Sequence, residues 1–526
     1  MLTVALAMSA CGGGDNESEA PVQNAEARCA ALAKAAYPDA VLSTVEYRPA
    51  GGFTTPDGVT AIEGLPEFCR VAASLRPSSD SDIRVEVWLP TAGWNGKFLG
   101  LGNGGFAGAL DYRELAAGLN RGFAVAHTDM GTAPAASQGG AVLIGHPEKW
   151  IDWGYRSTHL MTTFAKWATA EVLDSAPKRS YFIGCSTGGG QGISEATRYP
   201  DDYDGIVSGA PVPSRVGTHV GIGTKWVGFR EDSAPLKSVL TAPKLDLLHR
   251  SVLASCDALD GVSDGLVARP DLCNFNPAVL QCSASGSTDC LTSVELAAVE
   301  KAYAPVRHVN GQEIFPGLEK GSEDQWLAYT FDLFSHAPFS DLFQWVLGPS
   351  FDFRDFNYGS DMDLVDSVVG PVVNNNNPDM RAFKARGGKF LAYQGLSDVL
   401  IPPGSIHQYL RQVESTTTGT DTFVRLFEAP GMSHCAGGAG PNMFGNSLSG
   451  ATVDAKDPSR DLIAALDKWV ETGVAPERIV ATKKAGDAPE GDVVRTLPLC
   501  AYPNVARFSG VGDPNLEASY ACGPRQ

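Results

Sequence analysis

The sequence predicts an α/β chain, with a mostly parallel sheet interrupted by one large insertion. Three observations predict it. Short apolar runs alternate with helical segments from residue 83 to 208, the spacing of βαβ units. A Gly-rich turn, Gly184-Cys185-Ser186-Thr187-Gly188, joins one such run to a helix-like segment at 192–199. Between 213 and 386 the rhythm stops, and at Lys389 it resumes.

Taken in order, residues 24–70 read as an N-terminal cap with a helical start at 25–36, and 83–89 alternates apolar and polar residues like a half-buried strand ended by Pro90. A second strand at 97–101 runs into Gly102-Asn103-Gly104-Gly105, and a helix at 111–120 leads to a strand at 123–126. A long helical stretch at 155–173 precedes the strand of the Gly-rich turn, and 205–208 is the next strand. After the insertion, strands are expected at 389–393 and 422–427, then an amphipathic helix at 460–471 and one more strand at 478–481. The asparagine run 374–377 reads as a short polar loop, and there are no internal repeats.

A strand, a Gly-x-Ser-x-Gly turn and a helix in succession form the nucleophile elbow of an α/β-hydrolase, where the tight turn lifts a serine hydroxyl above the sheet. The expected architecture is an α/β-hydrolase fold with a large inserted lid domain. Residues 1–24 would be a signal and tether, 25–212 and 387–526 the two parts of the catalytic domain, and 213–386 the lid. Such a site needs an acid and a base after the nucleophile, on loops following later strands. Asp398 follows the strand that restarts the sheet, and of nine histidines His434 alone follows the next one. His127 precedes the serine, His407 belongs to a helix-like run, and Glu428 sits too close to His434 in sequence. Ser186, Asp398 and His434 are therefore the expected triad, with N–H groups of Thr187 and of Gly104 or Gly105 as the oxyanion hole.

A formal charge of -19 excludes a nucleic-acid partner, which needs a basic surface. The apolar run ending at Cys11, followed by a Gly-rich polar stretch, resembles a bacterial lipoprotein signal with Cys11 lipidated, or else an ordinary cleavable signal. Either implies an exported protein, periplasmic, lipid-anchored at the outer membrane or secreted. With Cys11 set aside, the other ten of the 11 cysteines suit five disulfides. Proximity pairs Cys256 with Cys273, Cys282 with Cys290, Cys500 with Cys522, and Cys29 with Cys69. Cys185 and Cys435 remain, one beside Ser186 and the other beside His434. A working triad must bring them close, so a bridge is expected, with two buried thiols as the alternative.

Gly-Cys-Ser-Thr-Gly-Gly around Ser186, Tyr203-Asp204-Gly205-Ile206-Val207, Asp398, and Gly431-Met432-Ser433-His434-Cys435 together resemble the tannase and feruloyl esterase family. Gly190 departs from it, since many members carry arginine there. The resemblance implies a serine carboxylesterase for small aromatic esters, feruloyl or galloyl in type, with no organic cofactor. A mono(2-hydroxyethyl) terephthalate hydrolase-like esterase is the second reading, and a calcium-stabilised binding protein on an inactive scaffold the third. The loop containing Asp257, Asp260 and Asp264 offers hard oxygen ligands, to which the carbonyls of Val262 and Leu266 could add. Alone such a turn is more often a solvated loop; the resemblance implies a structural Ca2+ site. Eleven aromatics crowd the 38 residues from Gly321 to Tyr358, where about three would be expected at the chain's 9% average. Most should form the lid's own core and a few an acyl pocket, with Arg354 as a cation that could meet substrate.

Overall fold

The computed structural model describes residues 24–525 apart from 136, 138, 232–236, 284–288, 331–336 and 448–453. Cys11 and the tether, with Phe331 and Phe334 of the aromatic cluster, lie outside the described residues.

A nine-stranded sheet runs through the molecule. Its strands are β1 (Ala40–Arg48), β2 (Phe68–Leu75), β3 (Ile83–Pro90), β4 (Lys97–Leu101), β5 (Ala124–Thr128), β6 (Arg179–Cys185), β7 (Gly205–Gly209), β8 (Lys389–Gly395) and β9 (Val424–Ala429). Their order across the sheet is β1-β2-β3-β5-β4-β6-β7-β8-β9. The first three pairings are antiparallel and every pairing from β5 to β9 is parallel. Parallel strands joined by crossover helices are covered on both faces, which is why Tyr181-Phe182-Ile183 and Phe390-Leu391-Ala392-Tyr393 read as continuous apolar runs.

Two expectations change at the antiparallel edge. The N-terminal segment has its helix, Ala25–Leu32, started by the Asn24 side chain accepting from the Ala27 N–H. The rest of it is no separate cap, because β1 and β2 extend the central sheet. Glu86, expected to face solvent on an alternating strand, is 1% exposed. It is held by Arg70 Nε at 2.5 Å and Trp88 Nε1 at 2.9 Å, and burial pushes its carboxyl above the usual range.

Helices α1 (Tyr112–Asn120), α2 (Ser157–Leu173) and α3 (Thr187–Arg198) cover the sheet. Phe164 and Val172 of α2 and Ile193 of α3 pack with Phe98, Phe182 and Phe390 on one face. On the other, Leu115 and Leu119 of α1 meet Leu466 and Trp469 of the helix Leu462–Thr472 against Tyr181 and Leu391. Full burial of one such Phe or Leu side chain contributes roughly 2 kcal/mol. The strand expected at 478–481 exists as Arg478–Lys484, but pairs with Val493–Cys500 and joins no strand of the central sheet.

Among the described residues, no strand of the central sheet falls between β7 and β8. That stretch holds helix α4 (Arg215–Gly228) and the helices Ala242–Cys256, Ser293–Tyr303, Asp341–Leu347 and Ser360–Val373. Its apolar cluster includes Trp326, Tyr329, Phe343 and Trp345, and extends onto Phe106, Met130 and Trp153 above the sheet. Asn374 and Asn375 are buried, with Asn374 Oδ1 accepting from the Val216 N–H at 3.1 Å, so the first half of the asparagine run braces α4 from within, while Asn376 and Asn377 are exposed. Tyr329 donates to the Val399 carbonyl at 2.6 Å, and Ser397 Oγ to the Gly321 carbonyl at 3.1 Å, which fastens the insertion to the loop after β8.

All five expected disulfides are present: Cys29–Cys69, Cys185–Cys435, Cys256–Cys273, Cys282–Cys290 and Cys500–Cys522. Among the described residues, no helix is long and apolar enough to cross a membrane.

Candidate active site

Between β6 and α3 the chain turns within one residue. Ser186 sits at φ 63° and ψ -120°, a conformation that costs a non-glycine residue energy and so needs support from its surroundings. Support comes from close backbone packing: the Ser186 N–H donates to the Gly209 carbonyl at 3.0 Å, and Gly188 donates to the Asn103 carbonyl at 2.7 Å. A Cβ on Gly189 would meet the Gly209 oxygen at 2.2 Å, which no side chain allows.

Asp398 lies on the loop after β8 and His434 on the loop after β9. His434 Nδ1 is 2.8 Å from Asp398 Oδ2. The other oxygen of Asp398 accepts from the N–H groups of Leu400 and Ile401, each at 2.9 Å, and Gln394 Nε2 approaches Oδ2 at 3.3 Å. Asp398 is buried, so these donors replace water around the carboxylate and hold it to one orientation. The Cys185–Cys435 bridge, with Cα atoms 5.9 Å apart, ties the residue before Ser186 to the residue after His434.

Ser186 and His434 line a cavity of about 540 Å³ together with Thr187, Gly104 and Gly105. Among the described residues, the N–H groups of Thr187, Gly104 and Gly105 donate to no backbone acceptor. Gly105 has φ +54°, and a Cβ there would lie 1.9 Å from the Ser137 carbonyl oxygen. The loop is braced from below by His127, whose Nε2 faces the Gly102 carbonyl at 3.2 Å. His127 is thus a support of the Gly-rich loop, and His407 is paired with Glu428 at 2.9 Å. Neither histidine lines the cavity.

The remaining cavity wall comes partly from the insertion. Val212, Ile222 and Phe339 face Leu400 and Ile401, a largely apolar lining. Of the aromatic cluster, Phe339 reaches the cavity, while Trp326, Tyr329, Phe343 and Trp345 pack into the insertion's core. Arg354 does not reach it. Its exposed guanidinium closes on the neighbouring Asp352, with Nε 3.0 Å from Oδ1, so the expectation that it meets substrate is corrected. The cation at the cavity is Arg215 of α4, accompanied one turn later by His219. Sequence reading passed over both, although two polar residues four apart among Val216, Val220 and Ile222 break an apolar helix face.

At the acidic loop, Asp257 accepts from the N–H groups of Asp264 and Gly265, Asp260 from Val262, and Asp264 from Leu266. Burial and the neighbouring carboxylates of Asp264 and Asp257 push Asp260 up to about 6. The carbonyls of Val262 and Leu266 accept no backbone hydrogen bond among the described residues. An all-oxygen donor set with mutually repelling carboxylates fits a hard cation. The tightest convergence of metal-type side chains among the described residues is elsewhere, at His159, Glu195 and Asp202, whose ligand atoms lie within 4.8 Å. There His159 Nδ1 lies 2.6 Å from Asp202, and burial beside Asp202 pushes the Glu195 carboxyl well above its usual range.

The model of the family described as "Tannase and feruloyl esterase" matches residues 69–335 and 349–523. An uncharacterized esterase of Xanthomonas campestris pv. campestris is 36% identical, across 95% of this chain and 92% of its own. A probable feruloyl esterase B-2 of Aspergillus flavus is 34% identical over 81% of each chain. The crystal structure of feruloyl esterase B from Aspergillus oryzae superposes with a TM-score of 0.87 at 28% identity, covering 95% of this chain and 100% of that one. With the sheet order, the elbow and the Cys185–Cys435 bridge in place, the chain belongs to the tannase and feruloyl esterase family and is a carboxylic ester hydrolase of the α/β-hydrolase fold.

Proposed function

We propose that Ser186, His434 and Asp398 hydrolyse esters of aromatic acids through an acyl-enzyme. The observation that carries this reading is the 2.8 Å contact between His434 and the buried Asp398, in the cavity lined by Ser186 at its strained elbow. His434 Nε2 takes the Ser186 hydroxyl proton while Oγ bonds to the ester carbonyl carbon. Asp398 holds Nδ1–H, keeping the ring in the tautomer that can accept and stabilising the imidazolium that forms. Negative charge on the carbonyl oxygen is met by the N–H groups of Thr187 and of Gly104 or Gly105, and one such donor is worth about 3 kcal/mol in the transition state. The ester C–O bond then breaks and the alcohol leaves with the proton from His434. Water, giving a proton to the same nitrogen, releases the acid and restores the serine.

The aromatic class rests on the family and on the apolar wall containing Phe339. Asp257, Asp260, Asp264 and the carbonyls of Val262 and Leu266 would hold a structural Ca2+, which neutralises the carboxylates and has no part in the reaction. Five disulfides fit an oxidising compartment and support export.

A fluorophosphonate probe tests the nucleophile. It should label the protein at Ser186, leave Ser186→Ala unlabelled, and that variant should lose methyl ferulate turnover while keeping its circular dichroism spectrum. Labelling at another serine, or substantial turnover by Ser186→Ala, refutes the assignment.

A further inference from the structure

Helix α4 brings Arg215 and His219 to the cavity over Ser186. They are 1% and 7% exposed. Arg215 Nη1 donates to the Trp153 carbonyl at 3.2 Å, and the guanidinium lies 3.9 Å from the centre of the Trp153 ring. Among the described residues, its Nε and Nη2 are buried without a partner, as is Nδ1 of His219. Burial alone displaces the Arg215 pKa, down to about 9, with no carboxylate contributing, so the group is a cation at neutral pH. Burial and the Arg215 charge push His219 down to about 3, which leaves a neutral imidazole. Phe106, Phe339 and Trp153 surround that imidazole with ring centres 5.5, 5.6 and 6.1 Å away.

A folded chain rarely leaves a buried cation without a counter-charge or two of its donors unmet, because each unmet group has lost its water for nothing. The bond and stacking contact with Trp153 use one edge of the guanidinium; the other donors remain unused. The same cavity has an apolar wall of Val212, Ile222, Leu400, Ile401 and the Phe339 ring. We propose that Arg215, with His219, binds a hydrogen-bond-accepting oxygen carried by the acyl ring of the substrate, so that esters of ring-oxygenated acids are selected over their unsubstituted counterparts. This rests on the esterase reading above. The oxygen could belong to a phenol or to a second carboxylate, and both present the same acceptor to a guanidinium.

The test compares kcat/KM within two matched pairs: methyl 4-hydroxycinnamate against methyl cinnamate, and mono(2-hydroxyethyl) terephthalate against 2-hydroxyethyl benzoate. The wild-type protein should favour the oxygenated member of at least one pair by at least about tenfold, because losing a partner for a buried charged donor is costly. The pair that responds identifies phenol or carboxylate. Arg215→Met should bring that ratio to near unity, and Arg215→Lys should retain part of it. Ratios near unity in the wild type overturn the proposal while leaving the esterase reading standing. So does an Arg215→Met variant that slows both members of a pair equally, the mark of a merely structural arginine. If none of the four esters is hydrolysed, the esterase reading fails and the proposal with it. Should Arg215→Met fail to fold, product inhibition of the wild type decides: 4-hydroxycinnamate or terephthalate binding at least about tenfold tighter than cinnamate or benzoate supports the proposal, and equal inhibition overturns it.

Discussion

Two polar pairs meet the same cavity, Asp398 behind His434 and Arg215 with His219, and they differ in what the protein supplies to each. The Asp398 carboxylate has a donor at every turn: two backbone N–H groups, Gln394 and the imidazole itself. Among the described residues, the Arg215 guanidinium has one hydrogen bond and no counter-charge, and His219 has an unpartnered nitrogen. The first pair is complete before any ligand arrives, which is what reacting groups require, since reorganisation during the reaction would add to the barrier. The second pair is completed from outside. Reaction rate should therefore depend on the first pair for every ester, while discrimination among esters should depend on the second.

The largest separation of the two roles is expected for Asp398→Asn. The amide cannot stabilise the imidazolium, and kcat should fall by about 10⁴-fold on every aromatic ester, with the oxygenated-to-plain ratio unchanged. Steady-state kinetics on the matched esters checks this, and a fall confined to one ester would erase the distinction. Replacing Cys185 and Cys435 together by serine comes next. The bridge closes a span of 250 residues, so its loss should destabilise the fold by about 2–4 kcal/mol and reduce turnover of all esters by a common factor. Thermal unfolding followed by circular dichroism, alongside the same kinetics, measures both effects. Chelation should have the smallest effect. EDTA should lower the melting temperature by a few degrees and calcium should restore it, with the initial ester ratios unmoved, while Asp260→Asn should weaken that response. An unchanged melting curve with and without EDTA would remove the metal from the acidic loop.

Much of the arrangement of Ser186, Asp398 and His434 was legible before folding. The elbow is five consecutive residues whose glycines permit a turn, and β4, β6, β7, β8 and β9 are short apolar runs whose character depends on their own residues. Asp398 and His434 follow from chain order, because each sits just past a strand that could be recognised locally. The cysteine pairing needed only proximity and the requirement that the triad close. The helix after Ser186 begins at Thr187, earlier than the glycine-rich sequence implied, because packing against β7 stabilises a turn that Gly188 to Gly190 would not hold alone.

The specificity half was not legible. Arg354 looked available because it is a cation among aromatics, yet Asp352 two residues away captures it. Arg215 and His219 drew no attention, since nothing local says that α4 turns them toward a chamber walled by Phe339 and Leu400, far off in sequence. Glu86 was put at the surface by local alternation, and residues 24–70 were read as a cap, when Arg70 and the pairing of neighbouring strands decide their setting. The sequence by itself determined the turn, the strands and the order of Ser186, Asp398 and His434 along them, because backbone geometry and short-range chemistry act within a few residues. Which side chains lose their water and find no partner was decided only by the tertiary structure, since burial is a property of elements that meet from distant parts of the chain.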